Sequence, residues 1–278
     1  QGTVNNNDGY IGAKTDLSLT ASSLDNQRLD ATKKQANIVA DNINLVVAGN
    51  VRNSGDIYAH SLNTLKAGTL NNREGNVAAA DALNVTVGGD INNHAGKLNA
   101  GKDITLTAQN LDNTSGTIGS TDGNATINIS KQFTNGTDVN SKDASGNALV
   151  GTVAVSQGKL DFNAGAINNK DGIVYAKQAV ITAKTGNIEN QNGVIQSAES
   201  LSIRSAKDVN NAGGNINAKT TLNLKAQNID NAAGQISSDS HNHITAATLT
   251  NSNAGQIGTV KGNLTLDISG QLHNQSKG

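Results

Sequence analysis

Apolar residues recur at every second position in short runs along the whole chain: LSLTA from Leu17, LNVTV from Leu83, ITLTA from Ile104, LSIRS from Leu201, LNLKA from Leu222 and LTLDI from Leu264. Alternation of period two turns one face of each run inward and predicts strands, and no segment of about 11 residues or more carries helical spacing. A fixed phrase stands between these runs. With an Asn at position zero, an aliphatic residue lies two before it, a Gly three after, a second aliphatic five after, and Ala or Ser seven after. Eight copies fit without a gap, at Asn6, Asn72, Asn93, Asn113, Asn169, Asn190, Asn211 and Asn231. Their leaders are Val4, Leu70, Ile91, Leu111, Ile167, Ile188, Val209 and Ile229; their glycines are Gly9, Gly75, Gly96, Gly116, Gly172, Gly193, Gly214 and Gly234. Degenerate copies surround Asn53 (one residue short), Asn251 (one long) and Asn26 (without the Gly), and successive regular copies stand 20 or 21 residues apart.

Each repeat therefore predicts three very short strands: the leader, the pair at plus five and plus seven, and the alternating run. Three strands and three turns in about 20 residues make one coil of a parallel β-helix, in which every coil pairs with the next. The predicted fold is all-β, a solenoid of about 12–13 coils with roughly 20–21 residues each. It forms a single array over residues 1–278, a rod on the order of 60 Å long at about 4.8 Å per coil. One coil alone leaves both edges unpaired, so stability must come from stacking. The Asn and Gly positions mark a repeated bend: Asn tolerates the left-handed conformation and bonds nearby backbone, and Gly supplies positive φ. Stacking the bends is expected to line the Asn side chains into an amide ladder, a structural role.

Composition narrows the interior. The chain has no Cys, Met, Trp or Pro, five aromatic residues, 30 Gly and 42 Asn. Without aromatic and Met side chains to fill irregular gaps, the core must be narrow and uniform, with no room for a cleft. The formal net charge of −1, with both signs scattered, offers no basic face for nucleic acid or anionic lipid. Zero Cys excludes a disulfide framework, and no run of about 18 apolar residues is present to span a membrane. Chemistry motifs are sparse. His241 and His243 share a strand face near Asp239, yet lack a fixed third ligand, and no metal or other cofactor is expected. The Asn-x-Ser/Thr sequons at Asn84, Asn124 and Asn263 follow from a composition rich in Asn and Thr. A β-helical lyase or hydrolase would need clustered carboxylates in a groove, whereas Asp and Glu are dispersed over separate coils, so no enzyme is expected.

The repeat fails most clearly at residues 131–159, where 34 residues separate Asn135 from Asn169. Insertions in solenoids map to outside loops and often bind partners. DASGN followed by ALVGTVAV reads as the turn and strand of an extra-helical hairpin, either a tolerated decoration or a partner-contact element. The candidate contact residues are Asp143, Ser145, Asn147 and Tyr175. Residues 27–42, including RLDATKKQ, read as a looped corner. Tyr58 and Tyr175 stand one residue before the small residue of the phrase, hence on the outer surface, while Phe133 and Phe162 read as core plugs bounding the insertion.

The phrase aliphatic-x-Asn-x-x-Gly-x-aliphatic-x-Ala/Ser on a period near 20 resembles the haemagglutinin repeats of two-partner-secretion exoproteins of Gram-negative bacteria, which include filamentous haemagglutinin adhesins and effectors of contact-dependent growth inhibition. The resemblance covers nearly the whole chain and weakens at residues 27–50 and 131–159. It implies a right-handed β-helix, export by an outer-membrane two-partner-secretion transporter, a place at the cell surface, and service as a stalk that projects a binding or toxic tip toward a receptor on a host or neighbouring bacterial cell. The chain starts and stops inside repeats, so it is expected to be a stretch of a longer filament, monomeric in isolation with end-to-end association through exposed coil edges.

Overall fold

In a computed structural model the chain is described over residues 2–30, 32 and 36–275. It is all-β: one continuous 29-stranded parallel sheet wound into a solenoid, and one separate two-stranded antiparallel pair. The winding follows from the alternation. In the long strands, such as Ala82–Val87, Ile104–Ala108 and Leu201–Ser205, every second residue is buried and its neighbour faces out.

Register between coils keeps equivalent residues in columns. The leaders form one: Val4, Leu24, Val51, Leu70, Ile91, Leu111, Phe133, Ile167, Ile188, Val209, Ile229, Leu249 and Leu272, each beside the next. That column defines 13 coils. A second, through Val77, Leu98, Ile118, Val153, Val174, Ile195, Ile216 and Ile236, lies on the strand after the turn. The two columns and the inward face of the long strands close one continuous core of Leu, Ile, Val and Ala. Phe133 and Phe162 are its largest side chains, both at 0 % exposure, meeting edge to face with centroids 4.6 Å apart. They occupy a leader position and a long-strand position on either side of the antiparallel pair in the chain.

Asn63 and Asn242 each take an inward position of a long strand where the neighbouring coils have an aliphatic residue. Asn63 stands between Ile43 and Leu83, and Asn242 between Leu222 and Leu264. Each donates from Nδ2 to backbone carbonyls, while its Oδ1 is buried without a partner.

Two expected irregularities are smaller than their sequence boundaries. Within residues 27–42, Asn37–Ala40 is a regular strand paired with Asp56–Ala59, and residues 31 and 33–35 lie outside the described residues. Within residues 131–159, Ala125–Thr134 and Thr152–Asn168 are solenoid strands in register with their neighbours. Only the segment between Asn135 and Gly151 leaves the coil. Hydrophobic ALVGTVAV is thereby divided: Ala148–Val150 belongs to the hairpin and Thr152–Val155 rejoins the rod.

Candidate functional site

The turn after each leader carries the most regular feature of the molecule. Asn side chains stack in an uninterrupted series, each Nδ2 donating to the Oδ1 of the Asn one coil on. The series runs Asn6, Asn26, Asn53, Asn72, Asn93, Asn113, Asn135, Asn169, Asn190, Asn211, Asn231, Asn251 and Asn274, with distances of 2.7–2.8 Å. The second N–H reaches backbone: Asn113 Nδ2 lies 3.1 Å from both Gly116 O and Thr152 O. From Asn26 to Asn231 every one of these side chains is buried, at 0–2 % exposure. Degenerate coils thus keep the Asn even where the Gly or the spacing is lost.

The bend itself differs from its sequence reading. Positive φ falls neither on the Asn nor on the phrase Gly but on the residue between them: Asp8, Glu74, Ala95, Ser115, Asp171, Asn192 and Ala233 have φ of 51–58°, and only Gly213 is a glycine at this position. The Gly three after the Asn is required by proximity. A Cβ on Gly96 would sit 2.1 Å from the carbonyl oxygen of Asn72 in the preceding coil, and one on Gly116 would sit 2.2 Å from that of Asn93. A second polar row runs beside the ladder. The residue before the ladder Asn is itself Asn or Asp in most coils, and its side chain accepts the backbone N–H two residues on, as Asn92 does from His94, Asp112 from Thr114 and Asp230 from Ala232. The doublets INN, LDN and IDN were its visible signal.

The hairpin leaves this same corner. Its strands, Thr137–Lys142 and Ala148–Val150, pair antiparallel. At its tip the Asp143 carboxylate accepts the backbone N–H of Ser145 at 2.8 Å and of Asn147 at 2.9 Å, and Gly146 takes φ +83°. Donation from the Asn147 backbone holds the Asp143 carboxyl below its usual range. Of the four candidate contacts, Asp143, Ser145 and Asn147 are therefore brought together, all exposed, with Asp143 and the two backbone N–H groups building the turn. Tyr175 is apart from them, half-buried on the outer face of the strand after the turn, between Ala154 and Gln196. Tyr58 is half-buried too, with its ring edge to face with His60 at 5.1 Å.

The base of the hairpin is tied to three coils. Thr137 Oγ1 donates to Asp171 O at 2.9 Å, the Asp138 N–H donates to Ser115 Oγ at 2.9 Å, and Asp138 Oδ2 meets His94 Nε2 at 3.2 Å. His94 is 9 % exposed. The Asn140 backbone N–H, donating to Asp138 at 2.9 Å, holds that carboxyl low. Nothing near residue 138 in sequence announces His94, 44 residues earlier. His243 turns to Asp267, 2.7 Å away, instead of joining His241 and Asp239, and among the described residues no three His, Cys, Asp or Glu side chains are grouped to hold a metal ion.

A family model described as the haemagglutinin repeat matches five stretches that together cover nearly the whole chain: residues 1–55, 57–95, 91–137, 121–213 and 195–276. No curated protein and no solved structure matches.

Proposed function

The chain belongs to the haemagglutinin-repeat family, and from that premise we propose that it is a non-catalytic stalk segment of a large secreted filament, an adhesin or a contact-dependent toxin-delivery protein that carries a binding or toxic tip away from a Gram-negative cell. The observation that carries this reading is the Asn ladder, unbroken through all 13 coils and through every degenerate copy. A ligand site needs one specialised place. A spacer needs the same coil again and again, which is what the columns provide. The repeats suggest a secreted or cell-surface protein of adhesin type, and export through an outer-membrane two-partner-secretion transporter accords with that setting. At about 4.8 Å per coil the rod spans about 60 Å.

The test is removal of whole coils. Deleting residues 54–93 rejoins the repeat after Asn53 at the same phase and removes two coils. The expected product is folded and shorter by about 10 Å in small-angle scattering, with unchanged affinity for cell surfaces. A shortened chain that keeps its circular dichroism but loses cell binding would show that these coils recognise something, and the spacer reading would fail.

A second reading is favoured by one observation, the ordered hairpin that presents Val139 at 68 % exposure on a base tied to three coils. In that reading residues 137–150 contact a receptor on a host or neighbouring cell. Replacing them by a turn that joins Gly136 to Gly151 should then abolish binding to bacterial or epithelial surfaces while the ladder is kept.

A further inference from the structure

The sides of the rod differ in charge. The long-strand side exposes Lys184, Arg204 and Lys225, and the leader strands turn Asp112, Glu189 and Asp230 outward. The strand after the turn is different. Over seven successive coils, from Thr117–Ser120 to Gln256–Thr259, it presents no charged residue outward. No bulge interrupts the register within these strands, and near their middle Ile173, Tyr175 and Val194 stand half-buried on the outer surface. One rim of this neutral face is charged in alternation. At the corner that ends the strands stand Lys177, Glu199, Lys219, Asp239 and Lys261, one in each of five successive coils. The sign changes at every step, and Lys177 and Glu199 lie 3.7 Å apart.

We propose that this face packs against the same face of a second copy, with the two rods antiparallel. A two-fold axis that lies in the interface and crosses the rods sets the charged rim of one copy against the same rim of the other in reverse order. When the Glu199 coil faces the Lys219 coil of the second copy, Lys177 faces its Asp239, and each acid meets a lysine. A partner with a single sign of charge would leave half of the rim facing like charge, and a charged partner surface would lose water against neutral side chains. The occupant that fits both the face and the rim is the chain itself. Six coils at about 4.8 Å and four residues at about 3.3 Å each cover roughly 400 Å² per copy. The total of about 800 Å² is below the about 1,200 Å² of a stable interface, so the pair is weak, with a Kd from about 10 μM to about 1 mM. The pairing uses the side of the rod and is independent of the spacer reading.

The test is sedimentation velocity of the full chain from about 1 μM to about 1 mM, with circular dichroism to establish that each variant is folded. The parent should pass from monomer to dimer across that range. Val194→Lys puts a charge among the neutral side chains of the face, and Lys219→Glu breaks the alternation of the rim; each should raise Kd by about ten-fold or more. Reversal of all five rim charges, Lys177→Glu/Glu199→Lys/Lys219→Glu/Asp239→Lys/Lys261→Glu, restores the alternation with opposite signs and should return Kd to within about three-fold of the parent. A parent that stays monomeric throughout overturns the proposal. Association unchanged in Val194→Lys also overturns it and places the contact elsewhere, as at the coil ends. Equal loss in Lys219→Glu and in the five-charge reversal overturns the antiparallel arrangement.

Discussion

Asn113→Ala isolates the ladder at its centre. Asn113 Oδ1 accepts from Asn93 at 2.7 Å and its Nδ2 donates to Asn135 at 2.8 Å, with two backbone carbonyls sharing the other N–H at 3.1 Å. Truncation strands one amide N–H of Asn93 and the Oδ1 of Asn135, both on side chains at 0 % exposure. At about 1–3 kcal/mol for each buried group left unpaired, the cost should be roughly 3–5 kcal/mol. Asn6→Ala is the internal control, because Asn6 is 6 % exposed and its ladder bond runs to Asn26 alone; it should cost about 1–2 kcal/mol. Guanidinium unfolding followed by circular dichroism gives the totals. Hydrogen exchange read by mass spectrometry should place the loss around residues 91–136, since a solenoid opens locally. Asn113→Ala/Asn135→Ala should cost less than the sum of the single changes, because the second removal takes away a group already unpaired. An Asn113→Ala cost at or below that of Asn6→Ala, or strict additivity of the pair, would refute the claim that the amides act as a series.

Four further outcomes follow from the geometry. Gly96→Ala should destabilise by more than about 3 kcal/mol, because its Cβ meets Asn72 O at 2.1 Å, whereas Ala95→Gly, at φ 52°, should stabilise by about 1 kcal/mol; the opposite signs of two neighbours are readable from their Tm values. Asn63→Leu should change stability by less than about 1 kcal/mol in denaturant unfolding, since removal of a buried unpaired Oδ1 offsets the lost donation to Ile57 O and Ala78 O. Phe162→Ala should cost about 3–5 kcal/mol and lower the melting temperature, with the loss centred on the coils beside the hairpin. Asp138 and Asp143 both have carboxyls held below the usual value of 3.8 by backbone donors, so their contribution is present above about pH 4 and is lost as pH falls through the lower folded values; hydrogen exchange in residues 137–150 should quicken there, and much less so in Asp138→Asn/Asp143→Asn.

Much of the architecture was legible because the repeat states it locally. Alternation in LNVTV and ITLTA needs only the strand period to be read, and the Asn column needs only counting. The reasons for the glycines were less accessible. Positive φ at Ala95 and Ser115 contradicts propensity, and Gly96 is required by a carbonyl 24 positions earlier, a contact with no local trace. The candidate contacts show the same division: the turn chemistry of Asp143, Ser145 and Asn147 could be read from DASGN, but their separation from Tyr175 could not.

By itself, then, the sequence determined the number and length of the coils, the inward columns and the Asn row, because each depends on offsets within one coil. The tertiary structure decided what meets between coils that are not evenly spaced. It tied Asp138 to His94 across 44 residues and placed Lys184, Arg204 and Lys225 on one face. The physical reason is that stacking sums coil lengths that vary at the turns and at the inserted hairpin, so a side chain's neighbours one coil away are fixed by sheet register and not by any constant step along the chain.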